Sequence, residues 1–220
     1  MAKPERSPQV LRARLDAGLA ALGLDHVEAE QRNLLVRYLA LLQRWNATHN
    51  LTAVRDPLEM VPRHLLDSLA VLPYLPAGAV VDIGSGAGLP GIPLAICRPA
   101  QPFTLVEPAA KRVAFLRHAV ADLGLANVQV APQGSEDYHP DSLPQVIISR
   151  ATAPLVRLDA MTRHLQGPHT RVLAQKGPGV EAELAAWPRA ATLRIARQEL
   201  AVPDLPLRLL LSWEVSVTTP

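Results

Sequence analysis

Val80-Val81-Asp82-Ile83-Gly84-Ser85-Gly86-Ala87-Gly88-Leu89-Pro90-Gly91 is an apolar strand that runs into a glycine-rich turn and then into a second apolar run, Ile92 to Cys97. Gly84, Gly86 and Gly88 stand at alternate positions, where φ is unrestricted and a ligand can approach backbone that any Cβ would shield. Pro90 or Pro93 can open the following helix, because the first N–H of a helix has no intrahelical acceptor to lose. Such a turn serves either a nucleotide-type cofactor or plain strand-to-helix packing. The downstream chain favours the cofactor. Phe103-Thr104-Leu105-Val106 is a second buried-type strand, and it ends on Glu107, about 20 residues past the loop, where an acid can grip ribose hydroxyls.

The detail of the turn separates the cofactors. A dinucleotide loop is G-x-G-x-x-G and seats pyrophosphate on the helix N-terminus. Here Asp82 lies two positions before the first glycine and the glycines are one residue apart. That D-x-G-x-G-x-G form resembles the class I methyltransferases, whose cofactor S-adenosylmethionine carries an ammonium and a sulfonium but no phosphate. An acidic strand end suits a cation better than an anion.

The 220 residues suffice for one α/β domain with a helical appendage, and 49% hydrophobic residues give it a core rather than a disordered chain. A net charge of +2 permits an RNA partner without requiring one. The single cysteine, Cys97, leaves no disulfide or Cys-rich zinc site and reads as a small core residue. No secretory leader or 18-residue apolar run is visible, so a cytoplasmic protein is expected.

Residues 1–75 show helical periodicity and the remainder, 76–220, alternates strand and helix; the two are expected to pack as one unit. Val10, Leu11, Leu15, Leu19 and Leu22 form one helical stripe, and Leu34, Leu35, Tyr38, Leu39, Leu42 and Trp45 another. Asp56-Pro57-Leu58-Glu59 announces a third helix, with Asp56 as cap and Glu59 in capping-box position. Arg44 to Ala53 reads as a polar connection between the second and third helices, either ordinary loop chemistry or a lid over a site. Strands are expected near 79–83, 102–106, 127–131, 144–148, 170–175, 191–198 and 207–217, with helices near 90–97, 109–123, 155–165 and 180–187. This is a doubly wound, mostly parallel seven-stranded sheet. The short link around Pro203-Asp204-Leu205-Pro206 makes the last two strands an antiparallel hairpin.

Ligands of such sheets sit beyond the carboxyl ends of the strands, where the strand order reverses. The tips are polar: the glycine loop, Glu107, Gln133 to Asp137, Ser149-Arg150-Ala151 and Gln175-Lys176-Gly177. Gly134-Ser135-Glu136-Asp137 can meet an adenine edge or cap a helix. Arg150 and Lys176 stand at the rim, where a fixed cation can hold a phosphate or a carboxylate. His64 and Asp67 share one face of the third helix; read alone, such a histidine is more often structural, and nothing at ligand spacing suggests a metal.

Together these residues resemble the GidB/RsmG family of bacterial methyltransferases that modify ring nitrogen 7 of a guanine in 16S ribosomal RNA. The resemblance runs from about Arg44 to the C-terminus. It rests on Trp45-Asn46, Asn50-Leu51-Thr52, Arg63-His64, Asp67-Ser68, the run from Asp82 to Ala95, Lys111-Arg112, Phe115-Leu116, Ile148 to Ala151 and Lys176-Gly177. It implies a Rossmann-like methyltransferase fold, S-adenosylmethionine as cofactor, and 16S rRNA or the small-subunit particle as partner, with no membrane and a monomeric enzyme. Cofactor contacts would come from Gly84, Leu89, Ser135, Glu136 and Arg150, with Ser85, Gly86 and Gly88 in the same loop and Glu107 on the ribose. Many relatives have Asp-Ser where this chain has Glu107-Pro108, and a more basic tail than Thr218-Thr219-Pro220. Arg150 and Lys176 would act at the catalytic centre, and Arg63, His64, Asn46 and Asn50 on the substrate side. The fold alone leaves open another methyl acceptor, or a non-catalytic nucleotide sensor.

Overall fold

Apolar runs bounded by turn residues become seven strands in the computed structural model, which describes residues 7–150 and 152–214. They are β1 (Val80–Ile83), β2 (Phe103–Val106), β3 (Val128–Ala131), β4 (Val146–Arg150), β5 (Arg171–Lys176), β6 (Ala196–Leu200) and β7 (Arg208–Glu214). The order in the sheet is β3-β2-β1-β4-β5-β7-β6. Strands β1 to β5 pair in parallel, β7 runs antiparallel to β5, and β6 is the edge. The link between β6 and β7 is too short for a crossover, so the chain returns as the expected hairpin. The order reverses between β1 and β4, which opens a crevice at their carboxyl ends.

Alternation sorts the strand side chains onto two cores. Val80, Phe103, Leu105, Val146, Ile148, Leu173 and Leu210 face one side, where helices α1 (Pro8–Ala21), α2 (Ala29–His49), α5 (Gly91–Cys97) and α6 (Ala110–Leu123) cover them. Val81, Ile83, Ile147, Val172, Leu211 and Trp213 face the other, under α7 (Leu155–Thr162) and α8 (Val180–Ala185). The N-terminal helices therefore share a core with the sheet. Leu11, Leu15 and Leu19 are buried as the stripe predicts, whereas Val10 lies off it, 48% exposed.

Three local expectations are corrected. Arg44 to His49 is not a connection but the last turns of α2, held there by Trp45 against Phe115 and His118 of α6, at ring-centroid distances of 5.7 and 5.5 Å. Asn50, left-handed at φ 52°, ends the helix, and the true connection begins there. The third helix is not regular: α3 (Pro57–Met60) widens into a π-helical stretch, Val61–Leu66, before α4 (Asp67–Leu69). Asp56 caps it as expected, accepting from the Leu58 N–H, but Glu59 reaches forward to Arg63 instead of back. The predicted strand from 191 is a 3-10 turn over Pro188–Thr192, and β6 starts at Ala196; the expected extension of β7 to 217 lies outside the described residues.

Candidate functional site

A cleft of about 510 Å³ opens over the tips of β1 to β4. Gly84 and Gly86, at φ +66° and +60°, turn the chain away from β1. A Cβ on Gly84 would lie 2.3 Å from Thr152 Cγ2, so no other residue fits there without displacing that side chain. Glu107 locks the loop from the end of β2. Its Oε2 accepts the Gly86 N–H at 2.8 Å and its Oε1 the Ala109 N–H at 3.0 Å, while Arg112 lies 3.7 Å away. An ionised carboxylate has about four acceptor positions, which leaves room for a sugar diol. From the N-terminal helices, Tyr38 donates its phenol to the Ala87 carbonyl at 2.6 Å, and burial pushes that phenol's pKa upward.

Asp82 does a different job from the one its sequence position suggests. It is fully buried and outside the cleft wall; its Oδ2 accepts the Gly91 N–H at 2.9 Å and its Oδ1 has no partner. Burial raises its pKa from 3.8 to about 7, against the opposing pull of the Gly91 N–H and Arg150. It is therefore a brace for α5 and not a counter-ion for a bound cation. The consequence reaches the cofactor question. The Ile92 N–H bonds to the Gly88 carbonyl, Pro93 has none to give, and the Leu94 N–H bonds to the Pro90 carbonyl. With Gly91 taken by Asp82, the first turn of α5 keeps no N–H for a pyrophosphate.

The other predicted residues divide among three places. Gly84, Ser85, Gly86, Leu89, Glu107, Ser135, Glu136, Arg150 and His64 line the cleft. Arg150 and His64 also line an adjoining crevice of about 400 Å³, together with Arg63 and Lys176. Gly88, Asn46 and Asn50 line neither. Asn46 is 2% exposed and shapes the connection, donating to the Val54 carbonyl and accepting the Thr52 N–H; Asn50 accepts from Arg55. Leu51 and Thr52, which Asn46 positions, are the ones that reach the cleft.

Glu136, on the 3-10 turn Ser135–Asp137, is held below the usual carboxylate pKa by its own backbone N–H and by the Ser135 hydroxyl. Burial pulls the His64 imidazole down to about 4, helped by Arg150, and His64 Nε2 lies 3.0 Å from Thr52 Oγ1. Arg150 Nη1 donates to Asp67 Oδ2 at 2.8 Å and to the Arg63 carbonyl at 3.0 Å. Lys176 Nζ donates to Glu183 at 2.8 Å and to the Ala153 carbonyl at 2.5 Å.

Sequence reading missed Thr152, Arg112, Arg157 and Met161 in the cleft and Arg208 in the crevice. Thr152 signals nothing by type. Arg208 was hidden at the start of an ordinary strand. Three buried polar atoms on these walls lack a partner: Ser85 Oγ, His64 Nδ1 and Gln175 Oε1. An orphaned hydroxyl on the loop, an open space where Gly86 would carry a Cβ, and carboxylates at the β2 and β3 tips fit an adenosyl group. Among the described residues no cluster of ligating side chains could hold a metal, and no helix is long and apolar enough to cross a membrane.

This sheet order, with its hairpin and its glycine-loop cleft, defines an S-adenosylmethionine-dependent methyltransferase of the Rossmann-like class. The same fold is seen in the magnesium protoporphyrin IX methyltransferase from Synechocystis with bound SAM, at 15% identity and a TM-score of 0.58 over 81% of this chain and 97% of that one. Within the class the chain belongs to the GidB family, rRNA small subunit methyltransferase G, which matches residues 31–205. Ribosomal RNA small subunit methyltransferase G of Methylobacillus flagellatus is 46% identical over 80% of this chain and 85% of its own length. The protein of that name from Xanthomonas axonopodis pv. citri is 48% identical over 82% and 84%.

Proposed function

We propose that this chain transfers the methyl group of S-adenosylmethionine to ring nitrogen 7 of a guanine in 16S ribosomal RNA. The observation that carries the reading is the joining of two unlike spaces at Arg150 and His64: a cleft walled by loop backbone and carboxylates, and a crevice walled by cations. The first suits the adenosyl donor and the second an RNA segment. In this reading Gly84, Ser85, Gly86, Leu89, Ser135 and Glu136 cradle the cofactor, Gly88 closes the turn behind them, and Glu107 takes the ribose. Arg150, Lys176 and Arg63 meet the substrate side, and Asn46 and Asn50 act indirectly by setting the connection that carries Leu51 and Thr52.

When bound, S-adenosylmethionine supplies an electrophilic methyl group. Guanine nitrogen 7 already has an in-plane lone pair, so no proton must leave before it attacks. The junction is built accordingly. His64, with its pKa near 4, is a poor base at neutral pH, and Asp67 is engaged by two guanidiniums. What the residues contribute is alignment and exclusion of water, together worth several kcal/mol. Because the nitrogen is hidden in the deep groove of an A-form helix, the target base must be unstacked or in a loop. The reading extends to a monomeric cytoplasmic enzyme acting on rRNA or the small-subunit particle, with helical residues 1–75 and the methyltransferase part 76–220 working as one body.

Incubation with methyl-labelled S-adenosylmethionine and either 16S rRNA or small subunits, followed by mass mapping of the RNA, tests this directly. One 7-methylguanosine is expected; a product methylated elsewhere, or none on either RNA, would refute it. Lys176→Ala should lower methyl transfer more than affinity for S-adenosylhomocysteine, and equal loss of both would remove Lys176 from the substrate side.

A further inference from the structure

Three strands and the π-helical segment converge on one buried carboxylate. Asp67, 5% exposed at the start of α4, accepts from Arg150 of β4 at 2.8 Å through Oδ2 and from Arg208 of β7 at 3.2 Å through Oδ1. Gln175 of β5 donates to its Oδ1 at 3.0 Å and to its backbone carbonyl at 2.8 Å. Both guanidiniums are largely covered, with 16% and 23% of their side-chain surface exposed. They cannot swing into solvent as surface arginines do. Each gives only one of its nitrogens to Asp67, and Arg150 gives the same nitrogen to the Arg63 carbonyl. The remaining donors are held in place beside the crevice.

The charges identify the missing partner. Of the four cations on the crevice wall, Arg63 is paired with Glu59 and Lys176 with Glu183. Arg150 and Arg208 share Asp67, which leaves one positive charge uncompensated. A phosphodiester carries one negative charge and presents oxygens that match a guanidinium fork. The guanine itself is a poorer match: a cation on nitrogen 7 would occupy the lone pair that has to attack. We propose that this crevice seats a backbone phosphate of the target RNA on Arg208 and Arg150, with Asp67 as the positioning residue that sets both guanidiniums. The inference rests on the rRNA reading and adds to it a residue and a role.

The test measures the affinity of wild-type protein, Arg208→Ala and Arg208→Lys for 16S rRNA across a KCl series, with S-adenosylhomocysteine binding by thermal shift alongside. Removing one phosphate contact should flatten the plot of log affinity against log salt by roughly 0.7 to 1. Arg208→Ala should show that change with cofactor binding intact. Arg208→Lys should restore most of the slope yet leave kcat/KM for methyl transfer lowered, because charge returns without the fork. Asp67→Asn should keep the slope and lose kcat. A wild-type slope in Arg208→Ala would overturn the proposal alone. Wild-type protein that binds S-adenosylhomocysteine but shows no salt-dependent RNA affinity would overturn it together with the reading beneath it. If Asp67→Asn fails to fold, the two Arg208 variants still decide.

Discussion

The cofactor cleft and the cationic crevice share a wall but are made of different material. The cleft is formed largely by backbone: a glycine turn, a 3-10 turn and a carboxylate that ties two main-chain N–H groups. The crevice is formed by side chains drawn from the π-helical segment, β4, β5 and β7, and fastened to one acid. A backbone mould is rigid and reads shape; a set of tethered cations reads charge and must be oriented residue by residue. Substitutions in the first should alter donor binding and leave salt dependence alone, and those in the second should do the reverse.

The largest effect on the cleft should come from Glu107→Ala. It strips the acceptor from the Gly86 N–H and the tether from the ribose, each worth about 1–3 kcal/mol when buried, so calorimetry should find S-adenosylhomocysteine affinity down by tenfold or more. An equal drop in the RNA salt slope would break the separation of the two spaces. Gly84→Ala should follow, because φ +66° costs an L-residue roughly 1–2 kcal/mol before its Cβ meets Thr152. About tenfold weaker donor binding is expected, and wild-type binding would show that the loop yields. Tyr38→Phe removes one hydrogen bond to Ala87, about 1 kcal/mol, and should weaken the donor several-fold with little change in RNA affinity.

The smallest effect on binding, with a clear pH signature, belongs to Asp82. Its folded pKa of about 7 lies above the ordinary 3.8, so the stabilising contribution of its bound proton is fully present below pH 4 and is lost as pH rises through 7. Asp82→Asn can still accept from Gly91 and has no proton to lose. Thermal unfolding midpoints of the variant should therefore decline less between pH 4.5 and 7.5 than those of the wild type. Parallel curves would mean that Asp82 is ionised in the fold throughout that range.

The same difference of material decides how much could be read in advance. The glycine loop, the β2 acid and the Ser135-Glu136 turn are contiguous signals, each tied to one strand tip, and the alternation of strand and helix places them on one rim. The crevice has no contiguous signal. Asp67, Gln175 and Arg208 are scattered over the chain and meet only because β7 returns beside β5. Asn46 misled in the opposite way: an amide in a polar stretch looked like a ligand, but α2 continues through it and buries it under its own loop. The π-helical widening at Val61–Leu66 was equally invisible, since its residues carry the apolar spacing of an ordinary helix.

The direction of the last strand carries a chemical consequence. Because β7 runs against its neighbours, it delivers its first residue, Arg208, to the edge where β4 and β5 deliver their last, and leaves Glu214 at the opposite end beside Arg171. A seventh strand of the same sequence laid parallel would have brought an acid to the mouth that receives nucleic acid and sent the arginine to the far side of the molecule.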